Sequence, residues 1–307
     1  MNEQDQRIKA FLDDVARKRG TPNFFDRFEQ DTVPSGAITL HLDIIEVDKA
    51  RPTVVFMPGT NAYAVVYGEF LAALASQGYN IVGFDPRGHG RSGGRRGSYT
   101  VPELMADFRA ALRYARQRFG EPLVAAGSSQ GGFTAFYLAA EGYPIAGALC
   151  HNVADLADPR SFALTARPGL SRLAKPWIQL GAHLLPEMPI PMNFYINLAD
   201  EPIRDLGSSK DLLHRGPLLV PYIRLRGMAS LATEPLPCPV ESITTPIMIL
   251  HGGKDRIFPQ DYIECLYGRL TCPKSLKVYE ECHHYIVFDD VNRLLPDVVA
   301  WLQDLCG

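Results

Sequence analysis

Residues 123–132 read Leu-Val-Ala-Ala-Gly-Ser-Ser-Gln-Gly-Gly, and no other stretch limits the fold of this chain as strongly. The apolar run 123–126 has the length and content of a buried strand. Gly127-Ser128-Ser129-Gln130-Gly131 is a Gly-x-Ser-x-Gly turn, and Phe133, Phe136, Tyr137 and Ala140 follow it at helical spacing. A strand that passes through such a turn directly into a helix is a nucleophile elbow. The strained turn throws its middle serine outward, its flanking residues must be small, and the first helical turn leaves backbone N–H groups free to meet a developing negative charge. With 26 Gly and 13 Ser in 307 residues, a shuffled chain would hold roughly 0.1 such matches. Composition alone does not account for the motif.

A chain of 307 residues has room for one large α/β domain, with or without an insertion. At 46% hydrophobic and 21% charged it reads as globular rather than disordered. A net charge of −3 gives no reason to expect nucleic acid or an acidic membrane as a partner of the whole molecule. The opening Met-Asn-Glu-Gln-Asp-Gln lacks the pattern of a secretory signal, and no apolar run approaches the ~18 residues that span a bilayer. The six cysteines, at 150, 238, 265, 272, 282 and 306, have no Cys-x-x-Cys spacing. They read as reduced thiols of a cytoplasmic protein, and no His/Cys/Asp cluster has metal-ligand spacing, so neither metal nor cofactor is expected. The sequence sets no oligomeric state.

Taken in order, Ile8, Phe11, Leu12 and Val15 predict an amphipathic helix over 4–18, ending near Gly20. Its polar face mixes both charge signs, which favours packing over a membrane surface. Two antiparallel strands are expected at 24–29 and 37–47, joined by a turn at Pro34-Ser35-Gly36. Strands at 53–57, 80–84, 123–126 and 145–151 then alternate with helices at 65–76 and 102–118. After an interruption come a strand at 247–250, a helix at 259–270, a strand at 275–280 and a final helix at 291–305. This alternation predicts an α/β fold, a mostly parallel sheet flanked by helices. The interruption lies between Asp158 and Pro239, where 12 of the chain's 24 prolines fall. It predicts a helical cap, 152–243, inserted after the sixth strand, with helices at 176–185 and 217–226, each opened by proline. The core would then be 1–151 and 244–307.

A serine hydroxyl needs a histidine to take its proton and a carboxylate to orient that histidine. Ser129 follows the elbow strand, Asp255 follows the 247–250 strand within Gly-Gly-Lys-Asp, and the doublet His283-His284 follows the 275–280 strand. The order Ser, Asp, His, each at a strand's carboxyl end, points to a triad and leaves two candidates for its base. The oxyanion donors expected are the N–H of Gln130 and, from the loop Pro58-Gly59-Thr60-Asn61-Ala62-Tyr63, the N–H of Thr60. Asn61 and Tyr63 in that loop, and His151 and Asn152 where a strand ends beside the elbow, are candidate pocket residues. Trp177, Leu184, Tyr195, Leu218, Leu219 and Tyr222 are candidates for an apolar acyl pocket, and equally for ordinary cap core. Arg87, Arg91, Arg95 and Arg96 invite an anion-binding reading, but no phosphate-loop or dinucleotide fingerprint accompanies them.

Residues 38–150 and 244–305 resemble the cap-bearing α/β-hydrolases of the monoacylglycerol lipase, lysophospholipase and serine aminopeptidase group. The resemblance rests on Asp85-x-Arg87-Gly88-His89-Gly90-Arg91-Ser92, Gly94-x-Arg96-Gly97, Asp107, the elbow, Gly252-x-x-Asp255 and Glu280-x-x-x-His284. It implies Ser129 as nucleophile, Asp255 as triad acid and His284, not His283, as base, and it makes the arginine-rich loop structural. Two positions depart from the group: Pro58-Gly59 replaces His-Gly before the oxyanion loop, and Gly-Ser-Ser-Gln-Gly replaces Gly-His-Ser-Met-Gly at the elbow.

The expected activity is hydrolysis of a small-molecule carboxylic ester, possible substrates being monoacylglycerols or lysophospholipids, through an acyl-enzyme. Serine at the elbow excludes the epoxide hydrolases and haloalkane dehalogenases that share the fold but need Asp there. Three alternatives remain: a peptidase or amidase that holds a substrate amine on Glu187, Asp200, Glu201 or Asp205; a non-catalytic ligand-binding scaffold; and a peripheral lipase that touches a membrane surface transiently through its first helix and cap.

Overall fold

The computed structural model describes residues 2–165, 168–194 and 201–307. Its centre is an eight-stranded sheet whose middle strands are buried on both faces. In β3 (Thr53–Met57), Val54 and Phe56 face one side of the sheet while Val55 and Met57 face the other. Helices cover both faces, so neither set is exposed and the strands are apolar throughout. The remaining strands are β1 (Glu29–Ser35), β2 (Ile38–Ile45), β4 (Asn80–Asp85), β5 (Leu123–Ser128), β6 (Gly147–His151), β11 (Ile247–Gly252) and β12 (Lys274–Tyr279). Their spatial order is β1-β2-β4-β3-β5-β6-β11-β12, with β2 antiparallel to both its neighbours and every other pairing parallel. The family resemblance and the alternation both anticipated this α/β sheet.

On one face, α1 (Glu3–Arg19), α2 (Gly68–Ser76), α9 (Ile286–Asp289) and α10 (Val291–Cys306) pack with Phe56, Ile81, Val124 and Leu250. On the other, α3 (Val101–Phe119), α4 (Gln130–Ala140) and α8 (Gln260–Arg269) pack with Val55, Phe84, Ala125 and Ile249. α1 buries Ile8, Leu12 and Val15 against the body and closes on Gly20 at φ 65°. Its apolar face is therefore not available to a membrane. The six cysteines are all unpaired.

Three local expectations are corrected. The first strand is Glu29–Ser35, not 24–29, and residues Phe25–Arg27 form a short 3-10 turn. β1 is an edge strand with mostly exposed side chains, so it lacks the apolar alternation that marks a strand in sequence, and its edge position tolerates Pro34. The expected helix at 176–185 is the second half of α5 (Pro168–Leu184), and Pro176 lies inside it rather than at its start. The expected helix at 217–226 does not form.

Between β6 and β11 the chain instead carries α5, β7 (Pro189–Pro191), β8 (Pro202–Ile203), β9 (Gly207–Ser208), α6 (Ser209–Arg215), β10 (Tyr222–Arg224) and α7 (Leu225–Leu231). β10 pairs with β7. Tyr222 is held extended because the Asn61 amide donates to the carbonyls of Val220 (2.9 Å) and Tyr222 (2.6 Å), while the Arg224 N–H donates to Gly97 O (2.8 Å). A Cβ at Gly97 would lie 2.8 Å from Tyr222 O, which explains that glycine.

Candidate active site

β5 ends at Ser128 and α4 starts at Gln130, which leaves Ser129 in the turn at φ 53°, ψ −112°. A non-glycine residue there stores about 1–3 kcal/mol of strain. The neighbouring glycines show why the turn has no alternative sequence. A Cβ at Gly127 would lie 2.2 Å from the backbone of Gly131, one at Gly131 would lie 2.0 Å from Met57 O, and one at Gly132 would lie 2.3 Å from His151 O. Two hydrogen bonds fix the serine's backbone: its N–H donates to His151 O (2.9 Å), and Phe133 N–H donates to Ser129 O (3.0 Å).

β3 pairs directly with β5, Met57 opposite Gly127, so the loop after β3 and the first turn of α4 meet at one edge. Gln130 N–H opens α4, where the first N–H groups have no intrahelical acceptor. Thr60 lines the same cavity as Ser129. Asp85 sets the path of the Thr60 loop: it is fully buried and accepts from Ala64 N–H and Arg91 N–H, both at 2.8 Å. Of the four arginines of that region two are consumed structurally, while Arg95 is exposed 3.6 Å from Glu187 and, among the described residues, Arg96 Nη1 has no hydrogen-bond partner. Arg87 forks onto Asp107 (2.6 and 2.9 Å), and buried Arg91 pairs with Asp43. Burial pushes His89 down to about 4, so it stays neutral.

At the end of β11, Asp255 is nearly saturated. Oδ1 accepts from Ile257 N–H (2.8 Å) and Phe258 N–H (2.9 Å); Oδ2 accepts from the Asn152 amide (2.8 Å) and from His284 Nδ1 (2.8 Å). Four donors fill a carboxylate's acceptor sites. Burial alone would raise this carboxyl, but the charge and hydrogen bond of His284 and the Phe258 N–H override it and hold Asp255 well below its usual range. Burial would likewise lower His284, but the facing charge of Asp255, their hydrogen bond and the charge of Glu201 outweigh it and raise the imidazole. The ring stacks on Phe258, centroids 5.6 Å apart. His283, the other member of the doublet, does not line the cavity; its Nδ1 lies 3.9 Å from Glu201.

A second serine–histidine contact lies alongside. Ser128 Oγ is 2.9 Å from His151 Nδ1, and the His151 ring is 5.1 Å from that of His284. Among the described residues no carboxylate is hydrogen-bonded to His151, whose Nε2 meets the Asn152 amide at 3.4 Å. Burial, followed by the positive charge of His284, depresses it far below 6.5. This pair braces the elbow without the features of an acid–base couple. Asn152, in the left-handed region at φ 66°, links the network to His251 Nδ1 (2.8 Å). Sequence reasoning places Asn152 beside the elbow only as a candidate pocket residue and raises Glu201 only as an anchor for an amine; Ser128 adjoins Ser129, but nothing in the spacing shows its contact with His151.

Ser129 and His284 line one apolar cavity with Thr60, and Met192, Leu212, Leu213, Leu219, Ile257 and Phe288 supply most of its wall. Of the residues expected from sequence, the structure brings Ser129, His284, Thr60 and Leu219 to this cavity and sets Asp255 directly behind His284. It does not bring Asn61, Tyr63, His151, Trp177 or Tyr222 there. Asn61 clamps the β10 segment, Tyr63 is buried with the Asp85 charge nearby, His151 lies behind the elbow, Tyr222 is in β10, and Trp177 is 73% exposed on α5. Leu184 is also exposed, and Tyr195 lies outside the described residues. These misplacements share a cause: each position is set by contacts distant in sequence.

Residues 48–291 match the family described as serine aminopeptidase, S33. The chain belongs to the S33 serine aminopeptidase family. Its fold is that of the α/β-hydrolases. The monoacylglycerol lipase of Mycolicibacterium smegmatis is 27% identical over 287 residues, covering 90% of this chain and 97% of that one. The monoacylglycerol lipase of Paleococcus ferrophilus superposes with a TM-score of 0.66 at 22% identity, covering 82% of this chain and 95% of its own. A soluble variant of the Saccharomyces cerevisiae monoglyceride lipase, solved with a substrate analogue, gives 0.69 at 19%, covering 91% and 95%. At these identities the two solved structures establish the fold that the S33 chain adopts.

Proposed function

We propose that this S33-family chain hydrolyses carboxylic esters through an acyl-enzyme on Ser129, with residues 1–151 and 244–307 as catalytic core and 152–243 as the substrate-selecting cap. The observation that carries this reading is the strained elbow serine opening into the same apolar cavity as a histidine hydrogen-bonded to a saturated, buried carboxylate. Ser129 Oγ attacks the ester carbonyl as its proton passes to His284 Nε2, the nitrogen not used by Asp255. The Thr60 and Gln130 N–H groups hold the oxyanion. As the C–O bond breaks, His284 returns the proton to the departing alkoxide, leaving the acyl group on Ser129. Water then attacks the acyl-enzyme, again giving its proton to His284, and the acid leaves with Ser129 restored.

The cavity wall favours an acyl chain over a charged amine, since none of its lining residues is a carboxylate. Among the acidic residues considered as amine anchors, Glu201 is occupied by backbone N–H groups, Glu187 accepts from Ser98 (2.8 Å), Asp205 is exposed, and Asp200 lies outside the described residues. The monoacylglycerol lipase relatives support a substrate with one acyl chain. The test is hydrolysis of p-nitrophenyl esters of increasing acyl length by wild type and Ser129→Ala. Loss of most of the rate in the variant, with a medium or long acyl optimum, is the expected result. An inert wild type, or an active Ser129→Ala, would refute the reading.

We also infer contact with a lipid surface, through α5 rather than α1. Among the described residues, eight of the nine large apolar side chains that are exposed fall between Leu170 and Phe194. Leu170, Leu173, Trp177, Leu180 and Leu184 lie along one side of α5. From 159 to 186 the sequence has Arg160, Arg167, Arg172 and Lys175 and no acidic residue, which suits an anionic surface. Trp177→Glu with Leu173→Glu should abolish cosedimentation with anionic vesicles; wild type that fails to sediment with them would overturn the inference.

A further inference from the structure

Glu201 is a fully buried carboxylate supplied by the segment between β6 and β11. Its Oε1 accepts from Arg256 N–H (2.7 Å) and its Oε2 from His284 N–H (3.3 Å). One side chain therefore bridges the loop that bears Asp255 and the loop that bears His284. Its own carbonyl accepts from the N–H and the hydroxyl of Ser209, both at 3.2 Å. Ser209 opens α6, whose Leu212 and Leu213 line the cavity. The residue thus joins three things: the wall of the acyl cavity, the backbone next to the triad acid, and the backbone of the triad base.

We propose that Glu201 is a positioning residue for the triad, which holds the Asp255 and His284 loops in register and presents a second negative charge to the His284 imidazolium. The proposal rests on the ester-hydrolase reading given above.

Two carboxylates then touch His284: Asp255, hydrogen-bonded to its ring, and Glu201, hydrogen-bonded to its backbone N–H. The other titratable groups around it are His151 at the end of β6, His251 in β11, Tyr285 next in sequence, and His283 and Arg256 beside Glu201. His151 and His251 are held neutral by burial, so they do not cancel the carboxylates. A buried carboxylate without donors would be costly, but two backbone N–H groups supply them. The arrangement also couples the cap to chemistry, since Glu201 reaches the two loops only while its own segment is seated.

The test compares Glu201→Gln, Glu201→Asp and wild type by pH profile, with Ser129→Ala as a separate arm. Glu201→Gln removes the charge at the same size, and its NH2 leaves one of the two backbone N–H groups, of Arg256 or His284, without an acceptor, which lowers the melting temperature whether or not the charge matters. His284 must be neutral to accept the serine proton, so losing a facing anion lowers its pKa. The acidic limb of kcat/KM should move down by about one unit, and the plateau should fall by up to about tenfold, the factor that one unit represents. Glu201→Asp keeps the charge and should leave the limb near its wild-type position. An unshifted limb in Glu201→Gln, with only a lower melting temperature, would show a purely structural role and overturn the proposal. An upward shift would overturn it too. The NMR titration of His284 provides the same comparison without turnover. If wild type lacks esterase activity but the titration shifts as expected, the ester reading fails and the assignment of Glu201 stands.

Discussion

Asp255→Asn should separate activity from stability more cleanly than any other change at this site. The carboxylate accepts four hydrogen bonds, two at each oxygen. An amide offers one oxygen and one NH2, so one pair of donors loses its acceptor. Placing the NH2 toward Ile257 and Phe258 would set it against two buried backbone N–H groups that have no other orientation, at about 1–3 kcal/mol each. Placing it toward His284 and Asn152 has a remedy. His284 can carry its proton on Nε2 and accept at Nδ1. The Asn152 amide can turn over, because its partner His251 has an Nε2 without a hydrogen bond and can exchange tautomers as well. Every donor but one is then matched, the exception being the His251 Nε2–H, and His284 Nε2 is protonated and cannot take the proton of Ser129. The expected result is a fall in kcat of about 10⁴, with a loss of stability below the roughly 2–6 kcal/mol that two orphaned donors would cause. Ester hydrolysis and thermal unfolding, measured on the same preparation, test both halves. Activity within tenfold of wild type, or a loss explained by unfolding at the assay temperature, would refute the reasoning.

Leu219→Trp should shorten the preferred acyl chain, because Leu219 lines the cavity and the larger ring fills it; an unchanged chain-length profile would remove this residue from the acyl site. Stability should fall as pH drops from about 6.5 toward 4, the window set by His89. Its folded pKa is depressed to about 4 by burial, so its contribution is fully present above the unfolded value near 6.5 and is lost as protons bind. His89→Asn, with an amide able to donate to Arg87 O in place of Nδ1, should flatten the melting temperature across that window; an equally steep profile would assign the acid sensitivity elsewhere. Asn61→Ala should orphan the carbonyls of Val220 and Tyr222 and loosen the β10 segment, raising KM more than it lowers kcat.

The parts of the molecule legible in the sequence are those fixed by local sterics. Gly127, Gly131 and Gly132 are required by backbone contacts of 2.0–2.3 Å, so the elbow is spelled out within six residues. The central strands are covered on both faces and therefore read as continuous apolar runs. β1 is covered on one side only by its partner β2 and shows no such run. Trp177 and Leu184 look like core by composition, yet helix periodicity cannot say which side of α5 is covered. Coverage is decided by α7, more than 40 residues away, which packs on the Gly181 side instead.

The same distinction separates the triad from what supports it. Ser129, Asp255 and His284, the proposed triad, each follow a strand within five residues, and strand ends are visible as points where an apolar run meets a turn. Asn152, Ser128 and Glu201 act on the triad through single side chains whose partners lie between 23 and 103 residues away. No periodicity encodes such pairs. They exist because a saturated buried carboxylate and a buried imidazole need every nearby donor and acceptor matched. Given the triad, that demand calls for side chains such as these, while the fold alone decides which positions along the chain provide them. The chemistry of the site can thus be read from its strand ends, whereas its tuning depends on the segment between β6 and β11 that reaches back to it.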